Sequence, residues 1–242
     1  MSSLPILCYH NVAPAPEDAR FKLLYVSPES FERQLWTLRR LGWRGVCIGE
    51  GLARLRNASA RGLVAITFDD GYTDTLTTAA PLLKQYGCRA TCYVVSGAVG
   101  TYNRWDADHI GERKPLMSRE QIDQWLAAGM EVGSHSLSHP RLSEVPQDLA
   151  EQEIAGSRTA LRDLFGVAIE HFAYPFGAIS DDVVEWVRRA GYSSAVTVRP
   201  GAARGSDDAM RLPRILVDGE RGLWSFLLRV ATPYERLRRR AS

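Results

Sequence analysis

Long hydrophobic runs are missing from this 242-residue sequence. No segment approaches the roughly 18 consecutive apolar residues that a membrane-spanning helix needs. The first twelve residues also lack the positively charged start and the small-residue cleavage site of a secretory signal. We therefore expect no transmembrane segment and a cytoplasmic location.

An excess of charge of either sign is also absent. The formal net charge is only +2, from 30 basic and 28 acidic residues, and no nucleic-acid-binding motif accompanies it. We therefore expect no nucleic-acid partner. The one strongly basic segment runs from Tyr234 to Ser242. We interpret it either as a solvated end or as a weak peripheral contact with anionic lipid at the inner face of the membrane.

Cysteine is scarce, and glycine-rich phosphate loops are missing. The four cysteines mostly lie within apolar stretches, so we expect small buried residues in a reducing compartment and not disulfides or metal ligands. No strand candidate is followed by a Gly-x-Gly-x-x-Gly or Walker sequence, which argues against a nucleotide-binding sheet.

The sequence does contain a regular alternation of short apolar segments with amphipathic ones. Seven or eight β–α units in one direction predict a parallel sheet, and their number favours closure into a barrel. We expect one domain over residues 1–242, with a core at about 4–217 and a C-terminal helix and basic tail at 222–242. The strand candidates are residues 4–10, 45–48, 62–68, 89–95, 131–136, 169–175, 193–198 and 214–217. The helix candidates are residues 27–43, 73–87, 118–130, 149–166, 180–192 and 222–231.

Ionisable residues gather at the ends of these strand candidates. Asp69 and Asp70 end one of them, and His135 and His139 end another. Because active sites of parallel α/β barrels lie at the carboxyl ends of the strands, these side chains should meet on one rim. Two imidazoles and a carboxylate form a frequent metal site, although a histidine pair alone is more often two ordinary surface or hydrogen-bonded histidines. With a divalent cation present, one acid would bind it and the other would stay free to act as a base.

Four short motifs carry a family resemblance. Y-H-N-V at 9–12, T-F-D-D-G-Y at 67–72, H-S-L-S-H at 135–139 and Y-P-F-G at 174–177 resemble those of the polysaccharide deacetylases, the carbohydrate esterases that share the NodB homology domain. The resemblance implies a distorted (β/α)7-8 barrel, a divalent metal that is usually zinc, and removal of acyl groups, mostly N-acetyl, from amino sugars. The leading Y-H-x-V resembles the branch that includes exopolysaccharide, or poly-N-acetylglucosamine, deacetylases.

The same resemblance assigns roles to four residues. It implies Asp69 as the general base, and it implies Asp70, His135 and His139 as the metal ligands.

Two features of the family are missing from the chain. Where the family commonly has Arg-x-Pro-Tyr, this sequence has Ala-Tyr-Pro-Phe at 173–176, and no histidine follows His171. The arginine that orients the base and the usual late general acid are therefore absent. We predict that His10 replaces the acid, because the first strand of a closed barrel neighbours the last. We predict that Arg214 replaces the arginine, with Arg211 as the second choice.

Several residues near the predicted rim are candidates for substrate contact, although aromatic side chains more often belong to the core. A backbone N–H within 174–176 is a candidate donor to the oxyanion of the reaction. The long segment from Gly97 to Leu116, which includes His109, is a candidate lid or substrate wall. The candidate substrate-binding residues are Tyr72, Trp105, Tyr174, Pro175 and Phe176.

Together these features predict a metal-dependent hydrolase that deacylates an N-acyl amino sugar in polysaccharide or glycolipid biosynthesis. A metal-activated water would be the nucleophile, Asp69 the base and His10 the acid. The expected partner is an acylated amino sugar, an oligosaccharide or a lipid-linked glycan. Two alternatives stay open: an O-acetyl esterase or non-sugar amidase with the same site, and a non-catalytic glycan-binding relative.

Overall fold

The chain folds into a closed barrel of parallel strands surrounded by helices. This computed structural model describes residues 3–17, 19–106, 113–219 and 221–232. The strands are β1 (Ser3–Tyr9), β2 (Arg44–Val46), β3 (Leu63–Phe68), β4 (Thr91–Val94), β5 (Glu131–Ser134), β6 (His171–Ala173), β7 (Ser194–Pro200), β8 (Ala202–Arg204) and β9 (Leu212–Leu216). The helices are α1 (Pro28–Arg40), α2 (Ile48–Arg56), α3 (Ala80–Gln85), α4 (Arg119–Ala127), α5 (Gln147–Phe165), α6 (Asp181–Arg189) and α7 (Leu223–Ala231).

The strand order explains how the barrel closes. Strands β3, β4, β5, β6, β7 and β9 pair in parallel in that order, and β1 closes the ring by pairing with both β9 and β3. Strand β2 pairs with the first half of β3, and β8 runs antiparallel beside the start of β1. The predicted (β/α)7-8 barrel is therefore confirmed, with seven strands in the ring.

The barrel strands are largely buried on both faces, as a parallel sheet covered by helices requires, although the end of β7 is exposed. In β3, every residue is buried. Val64, Ile66 and Phe68 pack toward the helical layer, whereas Ala65 and Thr67 alternate with them and face the barrel interior. The same alternation decides which side chains at the strand ends can reach the site.

Three helices start after a serine, at the first residue of the helix candidates 27–43, 118–130 and 180–192. Ser27 accepts from the Ser30 N–H in front of α1, and Ser180 caps α6 in the same way. Ser118 and Gln121 form a reciprocal capping box at α4. Each cap satisfies backbone N–H groups that the first helical turn leaves without a partner.

Helix α2 was not predicted from the sequence, and the prediction that Ile48 belongs to a strand was wrong. Two glycines, Gly49 and Gly51, lower the intrinsic helix propensity of this segment. Its first N–H groups are bonded by distant side chains: Ile48 N donates to Thr91 Oγ1 at 2.8 Å, and Gly49 N donates to Glu131 at 3.2 Å. These caps come from β4 and β5, so the local sequence does not show them. The three-residue strand β8 was also missed.

The amino-terminal end of the barrel interior is polar. Besides capping α2, the Glu131 carboxylate accepts from Thr91 Oγ1 at 2.6 Å and lies 3.5 Å from His171 Nε2. His171 Nδ1 is 2.9 Å from Ser194 Oγ. His171 therefore lies inside the barrel, at the end opposite the site described below.

Two further observations concern the cysteines and the helices. All four cysteines are buried with free thiols. Within the described ranges, no helix combines the length and the apolar character needed to cross a membrane.

Candidate functional site

Two adjacent acids occupy the carboxyl end of β3. Asp69 and Asp70 are 3% and 5% exposed, so both residues are buried at the carboxyl end of the barrel and do not lie on its surface. The Asp69 N–H donates to the Tyr9 carbonyl, which continues the β1–β3 pairing by one residue. Asp70 has a φ of 73° and Gly71 a φ of 84°. The two left-handed residues turn the chain sharply, so that the two acids point in different directions.

Asp70, His135 and His139 converge on one point. Asp70 Oδ1 lies 3.4 Å from His135 Nε2 and 3.4 Å from His139 Nε2, and the two Nε2 atoms are 3.2 Å apart. Tetrahedral zinc with bonds of about 2.0–2.1 Å separates its ligand atoms by roughly 3.3 Å. The three side chains therefore fit a divalent metal without rearrangement.

The hydrogen bond of His135 sets its tautomer. Its Nδ1 lies 2.7 Å from the Ala173 carbonyl, which can only accept, so Nδ1 carries the proton and Nε2 keeps its lone pair. Burial opposes protonation of His135, but the neighbouring carboxylates outweigh it and raise its pKa. The site therefore attracts positive charge. Burial lowers the pKa of His139 to about 4, which keeps that imidazole neutral, as a ligand must be.

Two aromatic rings enclose His139. The Trp105 ring stacks on the imidazole with centroids 4.6 Å apart, and the Phe176 ring meets it edge-on at 4.5 Å. These contacts restrict the imidazole to the orientation that points Nε2 at Asp70.

A buried acid on α5 holds the loop between the two histidines. Glu153 is 5% exposed. Its carboxylate accepts from the Leu137 N–H at 2.9 Å and from the N–H and hydroxyl of Ser138 at 2.8 and 2.5 Å. The loop needs this support, because Ser136 and His139 adopt left-handed backbone conformations with φ of 66° and 67°.

Asp69 is held by an arginine from β9. Arg214 Nη1 and Nη2 each lie 2.7 Å from one oxygen of Asp69, in a two-pronged ion pair. Arg214 Nε donates to the Thr197 carbonyl at 3.0 Å. Burial alone would raise the pKa of Asp69, but the charge and hydrogen bonds of Arg214 lower it to about 2. The Cys8 thiol lies 3.5 Å from the same carboxylate.

His10 follows β1 on the same rim. One of its ring nitrogens, the Cys8 Sγ and a carboxylate oxygen of Asp69 lie within 4.8 Å of one another. Its Nδ1 is buried, and no hydrogen-bond partner for that atom is found in the described part of the chain. Arg211, the second choice for the missing arginine, instead pairs with Asp181 on α6.

A cavity of about 700 Å³ opens above these groups. Phe21 and Phe176 are each 41% exposed, and Val198 is 52% exposed, so part of its mouth is apolar. The lining residues are His10, Arg20, Phe21, Leu23, Leu24, Asp69, Asp70, Trp105, Asp106, His135, His139, Arg141, Tyr174, Phe176, Gly177 and Val198.

Two of the candidate substrate-binding rings do not face this cavity. Tyr174 borders it, but its side chain is 1% exposed, packs against Phe172 toward the helices and donates to the Met210 carbonyl. Tyr72 is 2% exposed, and its hydroxyl lies 3.4 Å from Asp106. The strand pleat and the Gly71 turn direct both rings into the protein, and a substrate-binding role for them stays a prediction.

The other candidates divide as follows. Trp105 and Phe176 line the cavity, whereas Pro175 is buried and is not part of its wall. In the candidate lid, Trp105 reaches the site. His109 lies outside the described residues.

Sequence reasoning missed several residues of the site. Arg20, Asp106 and Arg141 line the cavity, and Glu153 supports the histidine loop. Arg141 lies only two residues after His139, which was an available signal. Glu153 is separated from the loop by a connecting segment and almost two turns of α5, so no local pattern marks it.

Comparisons with known proteins agree with this geometry. Residues 56–195 match the sequence model of the family described as polysaccharide deacetylase. The chain is 27% identical over 218 residues to the Bacillus subtilis protein YxkH, whose name places it among the polysaccharide deacetylases, covering 89% of this chain and 72% of YxkH. It is 25% identical over 199 residues to a poly-beta-1,6-N-acetyl-D-glucosamine N-deacetylase of Staphylococcus aureus, covering 81% of this chain and 68% of that one.

A solved structure extends the likeness to the fold. The Streptococcus pyogenes deacetylase PplD, in complex with acetate, superimposes with a TM-score of 0.82 at 26% identity. The match covers 95% of this chain and 98% of PplD.

Proposed function

The chain belongs to the polysaccharide deacetylase family, and on that basis we propose that it is a metal-dependent hydrolase that removes an N-acetyl group from an amino sugar. We propose that the whole chain serves as one catalytic domain. The observation that carries this proposal is the convergence of Asp70, His135 and His139 beside a carboxylate that Arg214 holds in place. A binding protein without activity would have no need for an ionised, buried acid next to a ligand set.

Asp70, His135 and His139 would hold the metal, which we propose to be zinc because two imidazoles and one carboxylate suit it and leave a position open. When bound, the metal would lower the pKa of the attacking water and polarise the acyl carbonyl. Asp69 needs that assistance, because a carboxylate with a pKa of about 2 is a weak base toward ordinary water.

Asp69 would accept the proton of the attacking water. It is ionised at neutral pH, and the two hydrogen bonds from Arg214 fix both of its oxygens. Arg214 is therefore a positioning residue, since it acts through Asp69 and not on the substrate.

The Phe176 N–H is the best-placed backbone donor for the oxyanion. Pro175 has no N–H, the Tyr174 N–H donates to the Val196 carbonyl, and the Gly177 N–H donates to the Tyr174 carbonyl. Phe176 has a φ of 55°, which turns its peptide out of the regular strand direction. We assign it the stabilisation of negative charge on the acyl oxygen.

His10 would donate a proton to the leaving amine. It borders the cavity and stands beside Asp69 on the rim, so one side of the acyl group would meet the base and another would meet the acid.

The substrate we propose is an N-acetylglucosamine-containing saccharide or a lipid-linked glycan. Relatives named for poly-N-acetylglucosamine support the sugar, and the acetate held by PplD is the product that deacetylation releases. Acetate release from N-acetylglucosamine oligomers tests the proposal directly. Release from O-acetylated saccharides alone would identify an esterase with the same site, and release from neither would leave the glycan-binding alternative.

We further propose a cytoplasmic location with a peripheral membrane contact. Four free thiols suit a reducing compartment. Trp224 is 86% exposed and Leu228, four residues later on α7, is 45% exposed, so both are available to a lipid interface. The basic segment 234–242 lies outside the described residues. Sedimentation with anionic vesicles tests this: binding should fall in Trp224→Ser, and no binding by the intact chain contradicts the proposal.

A further inference from the structure

The mouth of the cavity carries two arginines that the deacylation reaction does not use. Arg20 and Arg141 line the cavity together with three acids, Asp69, Asp70 and Asp106. Asp69 pairs with an arginine, Asp70 lies against the two imidazoles, and Asp106 accepts from a tyrosine hydroxyl. The charge of Asp69 is thus compensated within the protein, and both arginines border the space that a substrate enters.

Arg141 is held in place by a ring and not by a strong ion pair. Its Cζ lies 4.6 Å from the centroid of the Phe176 ring. Among the described residues, the nearest carboxylate oxygen to its guanidinium belongs to Glu144 and is 3.9 Å from Arg141 Nη1. The two side chains are 50% and 65% exposed. An exposed pair at that distance contributes little. A guanidinium packed against a ring stays oriented and keeps N–H groups for a ligand.

Arg141 is also close to the reaction centre. The Phe176 ring beneath it contacts the imidazole of His139. The centre of the Phe176 ring lies 4.5 Å from the centre of that imidazole and 4.6 Å from Arg141 Cζ. The Arg141 guanidinium is therefore at most about 9 Å from the centre of the imidazole. A group attached to the same sugar as the acyl group, or to its neighbour, can span this distance.

We propose that the mouth of the cavity binds an anionic substituent, a phosphate or a carboxylate, carried by the amino sugar, with Arg141 as the principal contact and Arg20 as the second. Guanidinium N–H groups match both anions in geometry and charge. The inference rests on the proposed function, because it names the class of amino sugar that the same site selects.

The test measures binding apart from turnover. Metal-depleted protein is titrated calorimetrically with N-acetylglucosamine, its 1-phosphate, its 6-phosphate, and N-acetylmuramic acid, which carries a carboxylate. We expect at least one anionic sugar to bind about tenfold to a hundredfold more tightly than the neutral sugar. Preference for the phosphates or for the muramic acid then identifies which anion the mouth takes.

Two variants make the test specific. Arg141→Gln should abolish the preference. Arg162→Gln removes the same net charge but should keep the preference, because Arg162 is 58% exposed on α5 and is not among the cavity-lining residues. Equal affinity of the intact protein for neutral and anionic sugars would overturn the inference. So would a preference that survives Arg141→Gln, or one lost equally in both variants.

Acetate release with metal restored separates this inference from the proposed function. Release from neutral and anionic sugars with equal KM contradicts the anion site and leaves the deacetylase function standing. Binding that depends on Arg141 without acetate release from any sugar keeps the anion site and contradicts the function.

Discussion

Replacing Arg214 with methionine should impair Asp69 as a base. The size of the effect follows from the contacts between the two side chains. Arg214 and Asp69 side chains are 1% and 4% exposed. The pKa of Asp69 is about 2 against an ordinary value of 3.8, so the contacts favour the ionised form by about 2 kcal/mol. That figure is a lower limit, because burial acts in the opposite direction. Leaving one buried charge unpaired costs about 3–5 kcal/mol of stability.

The sign of the pH effect follows from the same pair. In the intact protein the Asp69 contribution is present above pH 3.8 and is lost as the pH falls through about 2. In Arg214→Met, the main opposition to burial is lost and only the weaker attraction of His135 and His10 still acts against it, so the pKa of Asp69 rises. The acidic limb of the kcat/KM profile should therefore move up by about two pH units.

Urea unfolding of four proteins measures the coupling: the intact chain, Arg214→Met, Asp69→Asn and the double variant. We expect the double variant to be more stable than Arg214→Met, with a coupling energy of about 3 kcal/mol. Arg211→Met is the matched control, because Arg211 is 31% exposed and pairs with Asp181 instead. An unchanged acidic limb together with a coupling energy below about 0.5 kcal/mol would refute the reasoning.

Three further variants test other parts of the account. His10→Gln should lower kcat by about two to four orders of magnitude with metal content unchanged in elemental analysis, and lost metal would instead point to a ligand role. Glu153→Gln should weaken zinc affinity about tenfold to a hundredfold in competition with a chelating dye, whereas Glu151→Gln, a neighbour that pairs with an exposed glutamine, should not. Glu131→Gln should lower the free energy of unfolding by about 1–3 kcal/mol. Burial would raise the pKa of Glu131, but the contact with His171 lowers it, so this difference should be present above pH 4.5 and vanish as the pH falls through the lowered pKa. An equal difference at all pH values would exclude that contact as its source.

The barrel and the grouping of Asp70, His135 and His139 could be predicted because their signals are local. Apolar segments followed by Asp69 or His135 mark strand ends, and strand ends of a parallel barrel meet at one rim. Arg214 was chosen because it lies at the last strand candidate, and its guanidinium contacts Asp69. What made these inferences possible was topology, which fixes proximity without fixing side-chain direction.

Side-chain direction is where the sequence was insufficient. Tyr174 and Ala173 are adjacent, yet the pleat turns Ala173 into the barrel and the tyrosine ring toward the helices. The supporting contact of Glu153 joins α5 to a loop that precedes it, and the caps of α2 come from two later strands. Such contacts exist only once the whole barrel has closed, so no short window of sequence contains them.

The central claim is that Asp70, His135 and His139 hold a metal on which deacetylation depends. The direct measurement is acetate release from N-acetylglucosamine oligomers by the purified chain, before chelation, after chelation, and after zinc is returned. The account predicts release that stops on chelation and returns with zinc, and no return in Asp70→Asn. Undiminished release by the chelated protein, or full activity of Asp70→Asn, would contradict it.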